Sequence, residues 1–216
     1  MARNKHPEET VQKIMKVAAE LFLEKGYDNT SMQDIVNRLG MSKGAIYHHF
    51  KSKEDLMKQI TGQYFDNIDW FMDIVNDANL TGLEKLRHIF SHELGNEVKK
   101  KYDSISRPLL QDPVMFMEQI HCSINEVAPI LTKVIEEGNQ DGSLHTRYSK
   151  QAAELLLLSI NIWINPGIFA CSKEEFIEKI QYLKFVTDNS GIPIFNDEIL
   201  TLSEAYYDTS VGRLQK

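Results

Sequence analysis

Apolar residues recur at intervals of three and four along almost the whole chain, and strand-like alternation is rare, so the pattern predicts a protein built of helices. Val11, Ile14, Ala18, Leu21 and Phe22 form one stripe of a first helix from about Pro7 to Lys25, with Gly26 placed to end it in the left-handed conformation. In "TSMQDIVNRLG" Thr30 and Gln33 have the spacing of a capping box and Gly40 reads as the stop, which leaves a helix of about two turns. Ser42 is the expected cap of a third helix to about Phe50. Ser52 is that of a fourth, whose apolar positions Leu56, Ile60, Tyr64, Phe65 and Ile68 lead towards Asp77.

Further on, "TGLEKLRHIFSHELGNEVKK" opens with a Thr81 and Glu84 capping box, Asp112-Pro113 starts another helix, and one more is expected to end near Gly138. The turn-rich "GNQDGSLHTRYS" separates these from "SKQAAELLLLSINIWI" and "SKEEFIEKIQYLKFVT", the second opened by a Ser172 and Glu175 box. Both are apolar on nearly every side. A helix without a wet face must be covered all round, so the pair is expected to supply a core and a subunit interface together, around Leu155 to Trp163. The predicted architecture is all-α, with a small N-terminal helical unit over residues 1–52 and a larger helical one over 53–216. No repeat of 20–50 residues is present.

Composition narrows the class. With 42% hydrophobic and 25% charged residues in 216, the chain can bury a real core. The longest apolar run, "LLLLSINIWI", is too short to cross a bilayer, and "MARNKHPEET" does not lead into a signal-type stretch, so a cytoplasmic location without membrane contact is expected. Cys122 and Cys171 lack the spacing of zinc or redox sites and are expected as buried, reduced thiols. Net charge is −7, which on its face disfavours nucleic acid. Its distribution changes that. Residues 1–60 hold ten Lys/Arg against eight Asp/Glu, and residues 61–216 hold fourteen against twenty-three, so the N-terminal quarter is about +2 and the rest about −9.

Two short helices joined by "LGMS" have helix-turn-helix dimensions. Gly44 lowers helix propensity by about 1 kcal/mol against alanine in a helix interior, a cost that makes sense where a groove wall must approach the backbone. Ala45 is small in the same sense. Lys43 and Tyr47, four apart, project to one side as a cation and a phenol for base edges or phosphates. The helix starts at Thr30/Ser31, Ser42 and Ser52/Lys53 offer backbone N–H groups to phosphates, reinforced by Lys51, Lys53 and His48. Ile46 and Phe50 are expected in the small core.

Residues 26–56, "GYDNTSMQDIVNRLGMSKGAIYHHFKSKEDL", closely resemble the DNA-binding segment of TetR-family transcriptional regulators, through the glycine, the Thr/Ser cap, the Y-x-x-F and the K-S-K-E-D-L at the start of the fourth helix. The resemblance implies that Thr30 and Ser31 sit at a phosphate-contacting helix start, that Lys43, Gly44, Ala45 and Tyr47 face the groove, and that His48 and Lys53 hold the DNA backbone. It further implies a homodimer on a double-stranded operator, repression released by a small-molecule effector, and a long fourth helix that links the reading head to an effector-binding core.

Tyr64, Trp70, Phe71, Phe90, Met115, Phe116, Met117 and His121 are the candidate linings of that core, for an apolar or amphipathic effector, although such residues at helical spacing also serve as plain core. His88 and His92, i and i+4 with Glu93 nearby, could hold zinc, but no H-E-x-x-H or cysteine partner supports them, and no metal or cofactor is expected. Cys122 beside His121 is expected to be a buried thiol rather than a reactive one. G-x-G-x-x-G, G-x-S-x-G and P-loop motifs are missing, so no enzyme is expected. A helical interaction or scaffold protein is the alternative.

Overall fold

The first helix, α1, spans Pro7–Lys25, and Gly26 closes it with φ 82°, its N–H bonded to the Phe22 carbonyl. A computed structural model describes residues 7–66, 69–96 and 113–211, and among these it contains helices and no strand. Helices α2 (Met32–Leu39), α3 (Lys43–His49) and α4 (Lys53–Asp66) follow. Their caps are local: Ser31 for α2, Ser42 accepting from the Ala45 amide for α3, and Ser52 accepting from the Asp55 amide for α4. The expected long fourth helix is seen as α4 and α5 (Asp69–Asn76), with residues 67–68 outside the described ones.

The capping box at α2 differs from expectation by one residue. Ser31, not Thr30, is the N-cap, and Asp34, not Gln33, completes the box by accepting from the Ser31 amide. Thr30 is only 2% exposed, and its hydroxyl is turned inward onto the Gly26 and Leu21 carbonyls at 2.8 and 3.2 Å. A hydroxyl that closes the preceding turn cannot also cap the next helix.

Helices α2 and α3 are too short to be stable alone, so packing must hold them. Ile14, Ala18, Leu21 and Phe22 of α1 meet Ile35 and Val36 of α2 and Ile46 of α3, together with Phe50, in one core. Leu56, Met57 and Ile60 of α4 complete it, all at most 2% exposed. Ile46 and Phe50 are fully buried, each worth about 1.5–3 kcal/mol relative to exposure, which outweighs the poor propensity of a seven-residue helix. The first two turns of α4 therefore pack as part of the head, past the expected boundary at residue 52.

The second core is built from α5, α6 (Gly82–Gly95), α8 (Ala128–Asp141), α9 (Ser149–Leu158), α10 (Lys173–Asn189) and α11 (Asp197–Val211), with α7 (Pro113–Cys122) preceding α8 in the chain. The Thr81–Glu84 and Ser172–Glu175 boxes form as expected. Helix α8 runs on beyond Gly138 and ends at Gly142, because Gly138 is a packing residue rather than a stop. A Cβ on Gly82 would stand 2.4 Å from the Gly138 Cα, so α6 and α8 cross backbone to backbone. Beside that crossing the Gly82 amide donates to Asp141 and the Leu83 amide to Ser143, while half-exposed Glu137 pairs with buried Lys85 at 2.7 Å. Five-residue π-helical turns, Ser123–Val127 and Ser159–Trp163, lie between α7 and α8 and after α9.

Candidate nucleic-acid interface

Three residues, Gly40 to Ser42, join α2 to α3, and Gly40 takes φ 65° so that its N–H closes on the Val36 carbonyl. A left-handed residue is needed to reverse the chain this tightly, which is why glycine stands there. Two cross-links fix α2 against α1: Arg38 grips Glu24 at 2.7 Å, and Lys25 reaches Asp34 at 3.0 Å. The Asp34 carboxyl is held well below the usual carboxylate range, chiefly by the Ser31 hydroxyl, then by the Ser31 amide and Lys25.

Helix α3 has two unlike faces. Ile46 points into the core, as does Phe50 just beyond the helix, while Ser42, Lys43, Gly44, Tyr47 and His48 are exposed. The Lys43 ammonium lies 5.5 Å from the Tyr47 ring centre, so the cation and the phenol form one protruding edge. Space around Gly44 is open: a Cβ there would meet nothing within 4 Å. Ala45 is half-buried beside them, and the His48 and His49 rings meet edge to face at 5.1 Å. Ser31 at the start of α2 and Lys51 are exposed too. The face presents cations, hydroxyls and a bare stretch of backbone, the requirements for phosphate positioning and groove contact.

Two of the expected DNA contacts are engaged within the head. Thr30 has both its hydroxyl and its amide bonded there, the amide to the Tyr27 carbonyl, so it supports the α1–α2 turn. Half-buried Lys53 turns inward: its ammonium donates to the Tyr27 carbonyl at 2.7 Å and lies 4.1 Å from the Tyr27 ring centre. The sequence showed a cation at a helix start but not the carbonyl waiting 26 residues back.

Of the candidate effector linings, Trp70, Phe71 and Phe90 meet in the second core. Phe71 and Phe90 are core residues, Phe90 against Phe195 at 6.2 Å. Trp70 stacks on His92 at 3.7 Å, Phe116 is half-buried, Met117 and His121 are exposed, and the side chains of Tyr64 and Met115 lie outside the described residues. A shallow cleft of about 390 Å³ is lined instead by polar residues, among them Arg87, His88 and His92 of α6 and Glu198 of α11. His88 and His92 share that cleft, yet no group of three or more His, Cys, Asp or Glu able to hold a metal is drawn together among the described residues. Both cysteines are free and half-buried rather than buried, and desolvation with Glu126 beside it pushes the Cys122 thiol up, away from the reactive thiolate. Among the described residues no helix is long and apolar enough to cross a membrane.

A short-linked helix pair packed in one core with α1 and the start of α4, with a cationic and phenolic outer face on its second helix, defines a helix-turn-helix DNA-binding protein. Residues 14–60 match the family model of bacterial regulatory proteins of the tetR family. It is 25% identical over 158 residues, 73% of this chain and 84% of the relative, to the biofilm operon icaADBC HTH-type negative transcriptional regulator IcaR of Staphylococcus aureus. It is 31% identical over 77 residues, 36% and 38% of the two chains, to the HTH-type transcriptional repressor KstR2 of Mycolicibacterium smegmatis. In fold it is similar to a TetR-family transcriptional regulator from Pectobacterium atrosepticum, with TM-score 0.63 and 20% identity over 88% of this chain and 98% of that one.

Proposed function

We propose that this regulator is a repressor that binds a pseudo-palindromic operator as a homodimer and is released by a small apolar or amphipathic effector. The observation that carries the DNA part is the exposed Lys43, Gly44, Tyr47 and His48 edge of α3, held out by the burial of Ile46 and Phe50. Repression is supported by the relatives, which are a negative regulator and a repressor. The dimer is supported by Leu155, Trp163, Tyr182 and Phe185, which stay 38–62% exposed on α10, α9 and the π-turn that follows α9. Their aromatic members touch one another, Trp163 edge to face with Tyr182 at 6.0 Å and Tyr182 tilted against Phe185 at 6.4 Å, and together they make an apolar surface for a second copy to cover. Two-fold related heads would read half-sites about 34–36 Å apart, or a multiple of that.

The effector reading is supported by the paired π-turns, which touch through the Asn161 amide donating to the Ser123 hydroxyl at 3.3 Å. Such turns widen a helix and gather at functional sites. Release then follows if the effector prefers a spacing of the heads that the operator does not accept.

The test is selection of bound fragments from random or genomic DNA at near-physiological salt, repeated with Lys43→Ala and Tyr47→Ala. An enriched palindrome that both variants lose while remaining folded dimers is the expected outcome. No enrichment at any sequence, or variants that protect the same site, would refute the assignment in favour of a helical scaffold.

A further inference from the structure

Glu84, Arg87, His88, Ser91 and His92 share one polar face of α6, opposite the face by which Leu86, Ile89 and Phe90 enter the second core. On a lone helix such a face is plain solvated surface. Here it is walled: Ile74 comes from α5, and Asn196 and Glu198 come from the start of α11, which encloses the cleft of about 390 Å³. That volume lies at the lower end of small-molecule sites. Arg87 fixes one wall. Its guanidinium donates to the Ile194 carbonyl at 3.2 Å and to the Pro193 carbonyl at 2.8 Å, which holds the cation in place and leaves further N–H donors over. His92 lies nearly flat on Trp70, with ring centres 3.7 Å apart and 16° between the planes, so its ring is held as well. The His92 Nδ1 is buried without a partner. A buried N–H without an acceptor is the rarer kind of orphan, so the proton belongs on Nε2, where it can be donated.

Donors thus face the cleft from α6, and two carboxylates flank them. Glu84 is committed elsewhere: its Oε2 accepts from the Thr81 amide at 2.8 Å and from the Thr81 hydroxyl at 2.7 Å. Glu198 is exposed in the first turn of α11, and among the described residues neither carboxylate is ion-paired to Arg87, His88 or His92. We propose that this cleft binds a small monocarboxylate with a flat apolar body, an aryl carboxylate, its charge set against Arg87 and His88 and its body against Ile74 and the His92 ring. Charge-assisted hydrogen bonds from the α6 donors favour one negative charge. A second would meet Glu84 and Glu198, which selects against phosphate and dicarboxylates. The site shares no residue with the paired π-turns and does not depend on the regulator reading.

The test titrates the full-length protein, without DNA, with benzoate, benzamide and inorganic phosphate, and follows the imidazole signals of its histidines by NMR. Benzoate should shift the His88 and His92 ring signals saturably, with a Kd of about 1 mM or below, the scale for a ligand of so few atoms. Benzamide, which keeps the shape without the charge, and phosphate should give no saturable shift. His88→Ala should weaken benzoate binding about three- to tenfold, the range one net hydrogen bond supplies. Glu198→Gln removes a like charge from the rim and should tighten it by up to about fivefold. Both side chains are exposed, so both variants keep the packing of the core. No saturable shift with benzoate, equal binding of benzamide or phosphate, or two variants that leave the affinity unchanged or move it in the same direction would overturn the site. A wild type that binds no DNA would strike the regulator reading alone, and the titration would still decide the cleft.

Discussion

Gly44→Ala separates what the free protein needs from what DNA docking needs, because the two predict opposite signs. Gly44 sits in the first turn of α3, with ordinary negative φ and nothing within 4 Å of where a Cβ would be. The methyl therefore meets no neighbour and demands no backbone change. Helix propensity favours alanine by about 1 kcal/mol in a helix interior, and about half of that is a fair value so close to the cap. A gain of about 0.5 kcal/mol corresponds to a rise in Tm of about 1–2 °C for a chain of this size, at fixed protein concentration. On DNA the same methyl stands where the backbone is to approach the groove. Displacing α3 enough to weaken one contact of about 1 kcal/mol per head costs a dimer about 2 kcal/mol, a loss of about thirtyfold in affinity. Thermal melting and titration of a selected operator fragment at constant salt read the two effects. A variant that melts higher and binds as tightly as the wild type would refute the close approach, and one that melts lower would refute the open space around the residue.

Other consequences follow from packing and charge. Gly82→Ala should destabilise by about 1–3 kcal/mol or more, since its Cβ would press on the Gly138 backbone at 2.4 Å and neither helix can yield like a side chain; the urea midpoint reports this, and an unchanged midpoint would contradict the crossing. Replacing Tyr182 and Phe185 by Glu should give folded monomers with weak operator binding, and light scattering that still shows a dimer would move the interface elsewhere. Asp34 gives the pH dependence. Its folded pKa lies below the unfolded value, so its stabilisation is complete above the ordinary carboxylate range and is lost as pH falls through the folded pKa. The stability advantage of the wild type over Asp34→Asn should thus be widest near neutrality and shrink on acidification below about pH 4. Denaturant titrations showing a gap that widens in acid would reverse the assignment.

Much of the head was legible because its signals are local. Gly26, Gly40, Ser42 and Ser52 each act within four residues of where they stand, so their roles follow from chain geometry. The alternation of Lys43, Gly44 and Tyr47 with Ile46 around one helix likewise fixes which side can face a ligand. What the sequence did not reveal was decided by partners distant along the chain. Thr30 and Ser31 are equally good caps on paper, and what separates them is that Leu21, nine residues back, offers a carbonyl to Thr30. Lys53 is a free cation until Tyr27 comes within reach.

In the larger unit the same division holds. Periodicity and caps determined that it is helical, and they found the Thr81 and Ser172 helix starts. Only the tertiary structure could sort its aromatics, placing Phe71 and Phe90 in the core and leaving Tyr182 and Phe185 outside, because an apolar residue looks alike in sequence whether its own chain or a second one covers it. Gly138 shows this most simply. As a residue in a row it reads as a helix stop, and it became a contact surface only when Gly82, across the molecule, was brought against it.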